Sequence, residues 1–264
     1  MSASIDTPHL LAIDIGNSAT KYGLYKGLEL VGRWRAMNAE SSEATVIRQE
    51  IISHLGRFDF RPEEVEVIAV ASVVPAEEAI VEMAAKGLCD KATFKVSSLT
   101  YPYPILVREP HRVGADRLAA AAAGYTITGG PLIVIQIGTA ITLDMVGDEG
   151  AFHGGIIFPG PSTAAHALAG KAAQLPIVDI DFPTGIIGDD TVSAIQSGLS
   201  WGIVAMLDGL IEQIEQESSR LHRVLTSGGY GEVYALHSRR FRDYRPNLVL
   251  DGINRIYRQA EAGT

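Results

Sequence analysis

The chain has 264 residues, 47% of them apolar, and a formal net charge of −9 spread along its length. That is enough for one large or two medium domains with a substantial core, and the acidity disfavours a nucleic-acid partner. The single cysteine, Cys89, excludes an intrachain disulfide and a cysteine-based zinc cluster and suits a reducing cytoplasm. The segment "MSASIDTPHLL" lacks a basic stretch leading into a long apolar one, so no signal peptide is expected, and no apolar run is read as long enough to span a bilayer.

In chain order, Leu10–Ile15 reads as a buried strand, and Lys21–Tyr25 as a second after the turn Gly16–Asn17–Ser18. "GLELVGRWRA" adds a third strand. Ser41–Gly56 has helical spacing, with Ser41 or Ser42 as the cap. "VEVIAVASVV" is a buried strand ending at Pro75, "AEEAIVEMAAKG" a helix closed by Gly87, and "TFKVS" a short strand. The Pro-rich "YPYPILVREPH" is non-helical and is the expected junction between a first half, 1–112, and a second, 113–264. The second half opens on the Ala-rich helix "GADRLAAAAAGYTI". A strand pair around Gly138, the turn "GGIIFPGPS" and a helix through Ala164–Ala173 follow. Thr191–Ser218 reads as one long helix, "RVLTSGGYGEVY" as strand, glycine turn and helix, and "NLVLDGINRIYRQ" as a terminal helix.

An internal repeat organises these elements. "LLAIDIGNSATKYGL" laid over "LIVIQIGTAITLDMV" matches at Ile13/Ile135, Ile15/Ile137, Gly16/Gly138 and Thr20/Thr142. A strand–turn–strand unit in each half implies a duplicated α/β fold with a cleft between the halves. Two glycine turns facing a cleft suit a polyphosphate, because glycine lets the backbone approach and amide and hydroxyl groups then donate to phosphate oxygens. Asn17, Ser18, Thr139 and Thr142 supply donors, and Lys21 supplies positive charge. Asp14, at its strand end, is placed to hold Mg²⁺ directly or through water. In "VGADR", Val113–Arg117, an acid and a base stand together where a helix begins. Arg117 can grip a carboxylate in bidentate fashion, and Asp116 can accept a proton from a hydroxyl that attacks ATP. The plainer alternative for Asp116 is a first-turn acid favoured by the helix dipole. "GGIIFPG" and Thr226–Gly229 are two further glycine turns, one a candidate cleft wall and the other a candidate nucleotide contact.

Taken in order, D-x-G-N-(S/T)-x-x-K, G-x-D-R, G-T-A-x-T-x-D, G-G-x-I-x-P-G and a Thr before the "AIQSG" helix resemble the type III pantothenate kinases. Those belong to the acetate/sugar kinase, Hsp70 and actin superfamily, and the resemblance covers nearly the whole chain. It implies two ribonuclease-H-like halves with an actin-like ATPase architecture and a homodimer. It also implies ATP-dependent phosphorylation of pantothenate, the first step of coenzyme A synthesis. Asp14, Gly16, Asn17, Ser18 and Lys21 would then form the first ATP-phosphate loop, with Gly138 and Thr139 in the second. Gly114, Ala115, Asp116 and Arg117 would bind pantothenate with Asp116 as the base, and Thr191 would contact it as well. The pattern departs from the family in places. Where the family has an Asp that ligates K⁺ or NH₄⁺, this chain has Gln136, which weakens a monovalent-cation site. A pantothenate-contacting Tyr is replaced by Val107, with Tyr101 and Tyr103 nearby out of register, and Asp190 stands where Asn precedes the helix-leading Thr. Two other readings stay open at this point: a non-catalytic relative of the kinase fold, and a kinase for another small hydroxy acid.

The dimer is expected to use the small-residue faces of "LAAAAAGY" and "SGLSWGIVAMLDG". "GLSWG" fits the G-x-S-x-G elbow of esterases, but the helical sequence before it argues against a Ser200 nucleophile. The seven histidines show no metal-ligand spacing, and His153 is expected to face solvent.

Overall fold

The structure is a computed structural model describing residues 8–38, 43–88, 93–172 and 174–263. Cys89, the proposed caps Ser41 and Ser42, and Ala173 at the end of one expected helix lie outside the described residues. The chain forms two compact units, one of Met1–Thr126 with Leu248–Thr264 and one of Ile127–Asn247.

In the first unit, β1 (His9–Ile15), β2 (Ala19–Lys26), β3 (Glu29–Met37), β4 (Val67–Ser72) and β5 (Phe94–Lys95) make a sheet in the order β3-β2-β1-β4-β5. Alternation places Leu11, Ile13 and Ile15 on one face. There they pack with Ile47, Ile51 and Leu55 of α1 (Ala44–Arg57) and Val81 and Ala84 of α2 (Pro75–Ala85). Each of the Ile, Leu and Val side chains contributes about 1.5–3 kcal/mol by burial. Pro75 opens α2, where its fixed φ is already helical. The helix closes differently from the expected glycine cap. Arg48 reaches across from α1 and donates to the carbonyls of Ala84 and Met83, both at 3.0 Å, and Gly87 leaves room for its guanidinium.

Helices α3 (Ala115–Thr128) and α8 (Leu248–Ala262) also belong here, α3 through Thr126. The division therefore differs from the expected break at residue 112. The reason lies in how tightly the two helices pack: a Cβ on Gly252 would fall 1.9 Å from the carbonyl oxygen of Ala119, so their backbones are in direct contact. Polar bonds pin α8 to the strands. Tyr25 donates to Asp251 Oδ1 at 2.7 Å, and Asn254 and Arg258 both donate to the Gly27 carbonyl at 2.9 Å. Ala119–Ala123 are consequently buried inside this unit and are not an exposed face for a partner, contrary to the expectation for that helix. Gly252→Ala is expected to lower unfolding stability by roughly 1–3 kcal/mol, because a rigid backbone contact has nowhere to yield. Urea titration followed by circular dichroism would read the loss, and an unchanged midpoint would contradict the close packing.

The second unit repeats the first. β6 (Leu132–Ile137), β7 (Ala140–Val146), β8 (Phe152–Pro159), β9 (Arg223–Ser227) and β10 (Asp243–Tyr244) lie in the order β8-β7-β6-β9-β10. As in the first sheet, two antiparallel pairings are followed by two parallel ones. The two units are thus a duplicated α/β fold of ribonuclease-H-like type. Register refines the repeat. Asp14 pairs with Lys21, but Gln136 pairs with Thr142, so the second hairpin is one residue shorter and Thr142 is the counterpart of Lys21 rather than of Thr20.

Two expectations change in this unit. The proposed turn Gly154–Gly160 is mostly strand β8, since Gly155 must lie against Asp144 on the neighbouring strand, where a Cβ would sit 2.7 Å from Asp144 Oδ1. Residues Thr191–Ser218 do form one helix of 28 residues: α5 (Thr191–Ser197), a π turn at Gly198–Gly202, and α6 (Ile203–Ser218). By length and composition alone it is apolar enough to cross a membrane, although Asp208 interrupts the apolar run. Its apolar stripe is spent on the unit's own core, where Ile203, Val204, Leu207 and Ile211 meet Ile133, Ile135 and Leu143. Helices α4 (Pro161–Lys171) and α7 (Gly231–His237) complete the unit.

Candidate active site

Asp14 is the penultimate residue of β1 and only 4% exposed. Lys21 stands directly opposite on β2, and its Nζ lies 2.8 Å from Asp14 Oδ2. Antiparallel partners project to the same face, so register alone makes this acid–base pair. The connecting loop exposes Asn17 and Ser18 and is closed by the Gly16 N–H, which donates to Ala19 O at 3.2 Å. Asn38, just past β3, reaches back to the loop. Its Nδ2 donates to Gly16 O at 2.7 Å, its backbone N–H donates to Ser18 O at 3.3 Å, and its Oδ1 accepts from Thr20 Oγ1 at 3.0 Å.

The G-x-D-R segment arrives at the same end of this sheet. Past β4, the Val73 N–H donates to Ile15 O at 3.2 Å. Gly114 lies beside that residue, where a Cβ would be 3.5 Å from Val73 Cγ1 and 2.6 Å from Asp116 Oδ1. Gly114 therefore makes room for the Asp116 carboxylate. Ala115 is buried, while Asp116 and Arg117 are half-buried. Asp116 Oδ1 accepts the Arg117 N–H at 2.9 Å in the first turn of α3, at the positive end of the helix. The structure thus gathers Asp14, the first loop, Lys21 and Gly114–Arg117 at the carboxyl ends of β1 and β4, the usual ligand edge of a parallel α/β arrangement.

In the second unit, Gln136 pairs with Thr142 and with Ser227, and its Nε2 is buried without a hydrogen-bond partner among the described residues. The second turn is closed by the Gly138 N–H, which donates to Ala140 O at 2.9 Å. Thr139 is exposed, and its carbonyl accepts from the Gly160 N–H at 2.9 Å and from Thr163 Oγ1 at 2.7 Å. On the other side, Gly228 has φ +95°, and a Cβ there would lie 2.4 Å from Ile137 O, so only glycine fits. Both flanking glycine segments foreseen in the sequence therefore pack on the second turn. Asp144 is fully buried and accepts Thr142 Oγ1 at 3.2 Å.

The family model for type III pantothenate kinase matches residues 10–213, well over half of the chain. The chain belongs to the type III pantothenate kinase family. A type III pantothenate kinase from Dehalococcoides mccartyi is 34% identical over 254 residues, covering 96% of this chain and 98% of that protein. Among solved structures, a conserved Campylobacter jejuni protein assigned to the Baf family of transcriptional activators aligns with a TM-score of 0.60 at 19% identity. It covers 96% of this chain and 99% of that one. The activator of the 2-hydroxyisocaproyl-CoA dehydratase from Clostridium difficile, solved with ADPNP, aligns at 0.55 and 13%, covering 97% and 96%. At these identities the two structures share the fold.

For this member of the type III pantothenate kinases, the remaining predicted residues fall as follows. Thr191 opens α5, exposed, in the other compact unit from Asp116. Asp190 caps that helix by accepting the Ser193 N–H at 2.9 Å, and this bond holds its carboxyl below the usual range. Val107 is half-exposed. Tyr101 and Tyr103 are occupied in packing. Tyr103 makes edge contacts with Tyr101 and Tyr125, at centroid distances of 5.5 and 5.0 Å, and its hydroxyl accepts from Gln259 Nε2 at 3.0 Å. Ser200 is fully buried within the π turn and donates to Gln196 O at 2.7 Å, so it is no nucleophile elbow. His153 is exposed. Sequence reading missed Asn38, Val73, Gly155 and the backbone contact made by Gly160. The first two carry no local signal, since only strand register brings them to the loop and to Gly114. Gly155 and Gly160 lay within a segment already read as glycine-rich.

Proposed function

We infer that the protein is an ATP-dependent kinase that phosphorylates the hydroxyl of pantothenate, the first step of coenzyme A biosynthesis. The observation that carries this is that the G-x-D-R segment lies beside Val73, which is bonded to Ile15 at the root of the first phosphate loop, in a chain of this family. Asp116 takes the proton of the attacking hydroxyl, the hydroxyl oxygen bonds to the γ-phosphorus of ATP, and ADP leaves with the electrons of the broken bond. Arg117 holds the substrate carboxylate, with Gly114 and Ala115 beside it, and Thr191 is a further proposed substrate contact, supplied by the second subunit of a homodimer. Gly16, Asn17, Ser18 and Lys21 are the proposed phosphate contacts of the first unit, and Gly138 and Thr139 those of the second. The structure of the dehydratase activator with ADPNP is in keeping with a nucleotide ligand for this fold. Asp14, one oxygen of which is already bonded to Lys21, suits Mg²⁺ held through water, and that ion would offset phosphate charge. The single cysteine suits a reducing cytoplasm. ATP consumption by the purified protein, with and without pantothenate and related hydroxy amides, tests the assignment. Turnover only with another hydroxy acid would change the substrate, and no turnover with any would favour a non-catalytic role.

Gln136 fits a cation poorly, because the atom it buries unpaired is an amide nitrogen, which is a donor. Turnover is therefore expected to be nearly equal in K⁺, NH₄⁺ and Na⁺ buffers of matched ionic strength. Gln136→Asp is expected to introduce a response to K⁺. A strong K⁺ requirement of the wild-type enzyme would remove this reading.

A homodimer is also proposed, through the long helix alone. Gly198, Gly202 and Ala205 are exposed along it at spacings that share a face. A Cβ on Gly198 would meet nothing within 4 Å, and one on Gly202 would come no closer than 4.0 Å to any atom. A helical glycine costs about 1 kcal/mol relative to alanine, and close approach of a second helix would offset that. The expected result is a dimer at micromolar concentration by sedimentation, and a folded monomer for Gly202→Arg. A monomeric wild type would defeat the proposal.

A further inference from the structure

We propose that Asn38 is the positioning residue that turns the first loop into an anion cradle; this rests on reading that loop as the ATP-phosphate loop. The loop joins two strands, β1 and β2, rather than leading into a helix, so its peptide groups take their direction from other bonds. Asn38 does so from three sides. Its side-chain amide donates to Gly16 O at 2.7 Å and, at the longer distance of 3.5 Å, to Asn17 O, while its backbone N–H donates to Ser18 O at 3.3 Å. Each acceptor is a loop carbonyl. In a planar trans peptide the N–H points opposite to the C=O. Drawing the carbonyls of Gly16 and Ser18 toward Asn38 therefore sends the N–H groups of Asn17 and Ala19 the other way. The negative ends of the loop dipoles are covered by the protein, and the positive ends are presented away from β3.

The residue type matters. An amide offers donor hydrogens and an acceptor at once. Thr20 is buried, and its hydroxyl donates to Asn38 Oδ1 at 3.0 Å, which fixes the amide so that its nitrogen faces the carbonyls. Aspartate in the same place would set a negative charge against those carbonyls and beside the incoming phosphates. Alanine would release them. Asn38 also extends the strand whose residue Arg35 pairs with Lys21, so the clamp and the cationic row belong to one edge of one sheet.

Four variants test this: Asn38→Ala, Asn38→Asp, Thr20→Val and Thr20→Ser. Losing hydrogen bonds of this kind is expected to raise KM for ATP about five- to fifty-fold in Asn38→Ala, and more in Asn38→Asp. KM for pantothenate and the thermal midpoint should stay near the wild-type values. Inorganic tripolyphosphate, used as a competitor of ATP, should weaken by the same factor as ATP, whereas adenosine should not weaken. Thr20→Val should shift KM for ATP in the same direction, and Thr20→Ser, which keeps the hydroxyl, should recover most of it. A folded Asn38→Ala enzyme with unchanged KM for ATP would overturn the proposal. So would equal losses toward ATP and pantothenate accompanied by a lowered midpoint, since these mark a merely structural residue. A wild-type protein that binds neither ATP nor tripolyphosphate would instead overturn the reading of the loop, and the proposal with it.

Discussion

Replacing Asp116 with Asn is expected to lower kcat by roughly 10²–10⁴, the range associated with losing a positioned general base. The substitution is nearly isosteric. Asn keeps an oxygen to accept the Arg117 N–H, now held at 2.9 Å, so the first turn of α3 should form as before. Gly114 leaves space for either side chain, because its missing Cβ is what admits the Asp116 carboxylate. What disappears is the ability to take a proton. KM for ATP should change little, and circular dichroism and the thermal midpoint should match the wild type. Single-turnover measurement of phosphorylated product is the direct check. Near-wild-type turnover in a correctly folded Asp116→Asn enzyme would leave Asp116 as no more than a first-turn acid in the helix dipole.

The second large effect is expected at Gly160, where β8 hands over to α4. A Cβ there would lie 1.9 Å from Gly138 O and 2.7 Å from Thr139 O, both backbone atoms of the turn between β6 and β7. Neither can swing aside as a side chain would, and the Gly160 N–H is itself bonded to Thr139 O at 2.9 Å. Gly160→Ala must therefore push the turn or the start of α4 out of place. A stability loss of about 1–3 kcal/mol is expected, together with a raised KM for ATP. Gly170, in the same helix, supplies the control. A Cβ there meets nothing within 4 Å, so Gly170→Ala should be neutral or stabilising by up to about 1 kcal/mol. Equal behaviour of the two variants would mean that the contact at Gly160 does not hold the turn.

The repeat illustrates how far local sequence reaches. β1, β2, β6 and β7 were legible because each is an apolar run bounded by turn residues, and those features act within a few positions of one another. The same comparison aligned Thr20 with Thr142, which strand pairing shifts by one residue. A one-residue difference in turn length leaves little trace in composition, yet it exchanges the side chain that faces Asp14 or Gln136. Gly154–Gly160 misled for a related reason. Glycines that read as a turn are glycines of a strand, needed because Asp144 is buried beside Gly155.

The sequence by itself determined the duplicated α/β pattern, the two glycine hairpin turns, the adjacent acid and base of the G-x-D-R segment and the family resemblance. All of these depend on neighbours in the chain, whose geometry follows from backbone stereochemistry and the alternation of apolar residues. Only the tertiary structure decided that the last helix returns to the first unit, that the alanine run is sealed against Gly252, and that Asn38 clamps a loop twenty-two residues before it. Those facts depend on which surfaces can approach to backbone contact and on which strand pairs with which. Packing and register between distant segments set both, and no property of a single segment encodes them.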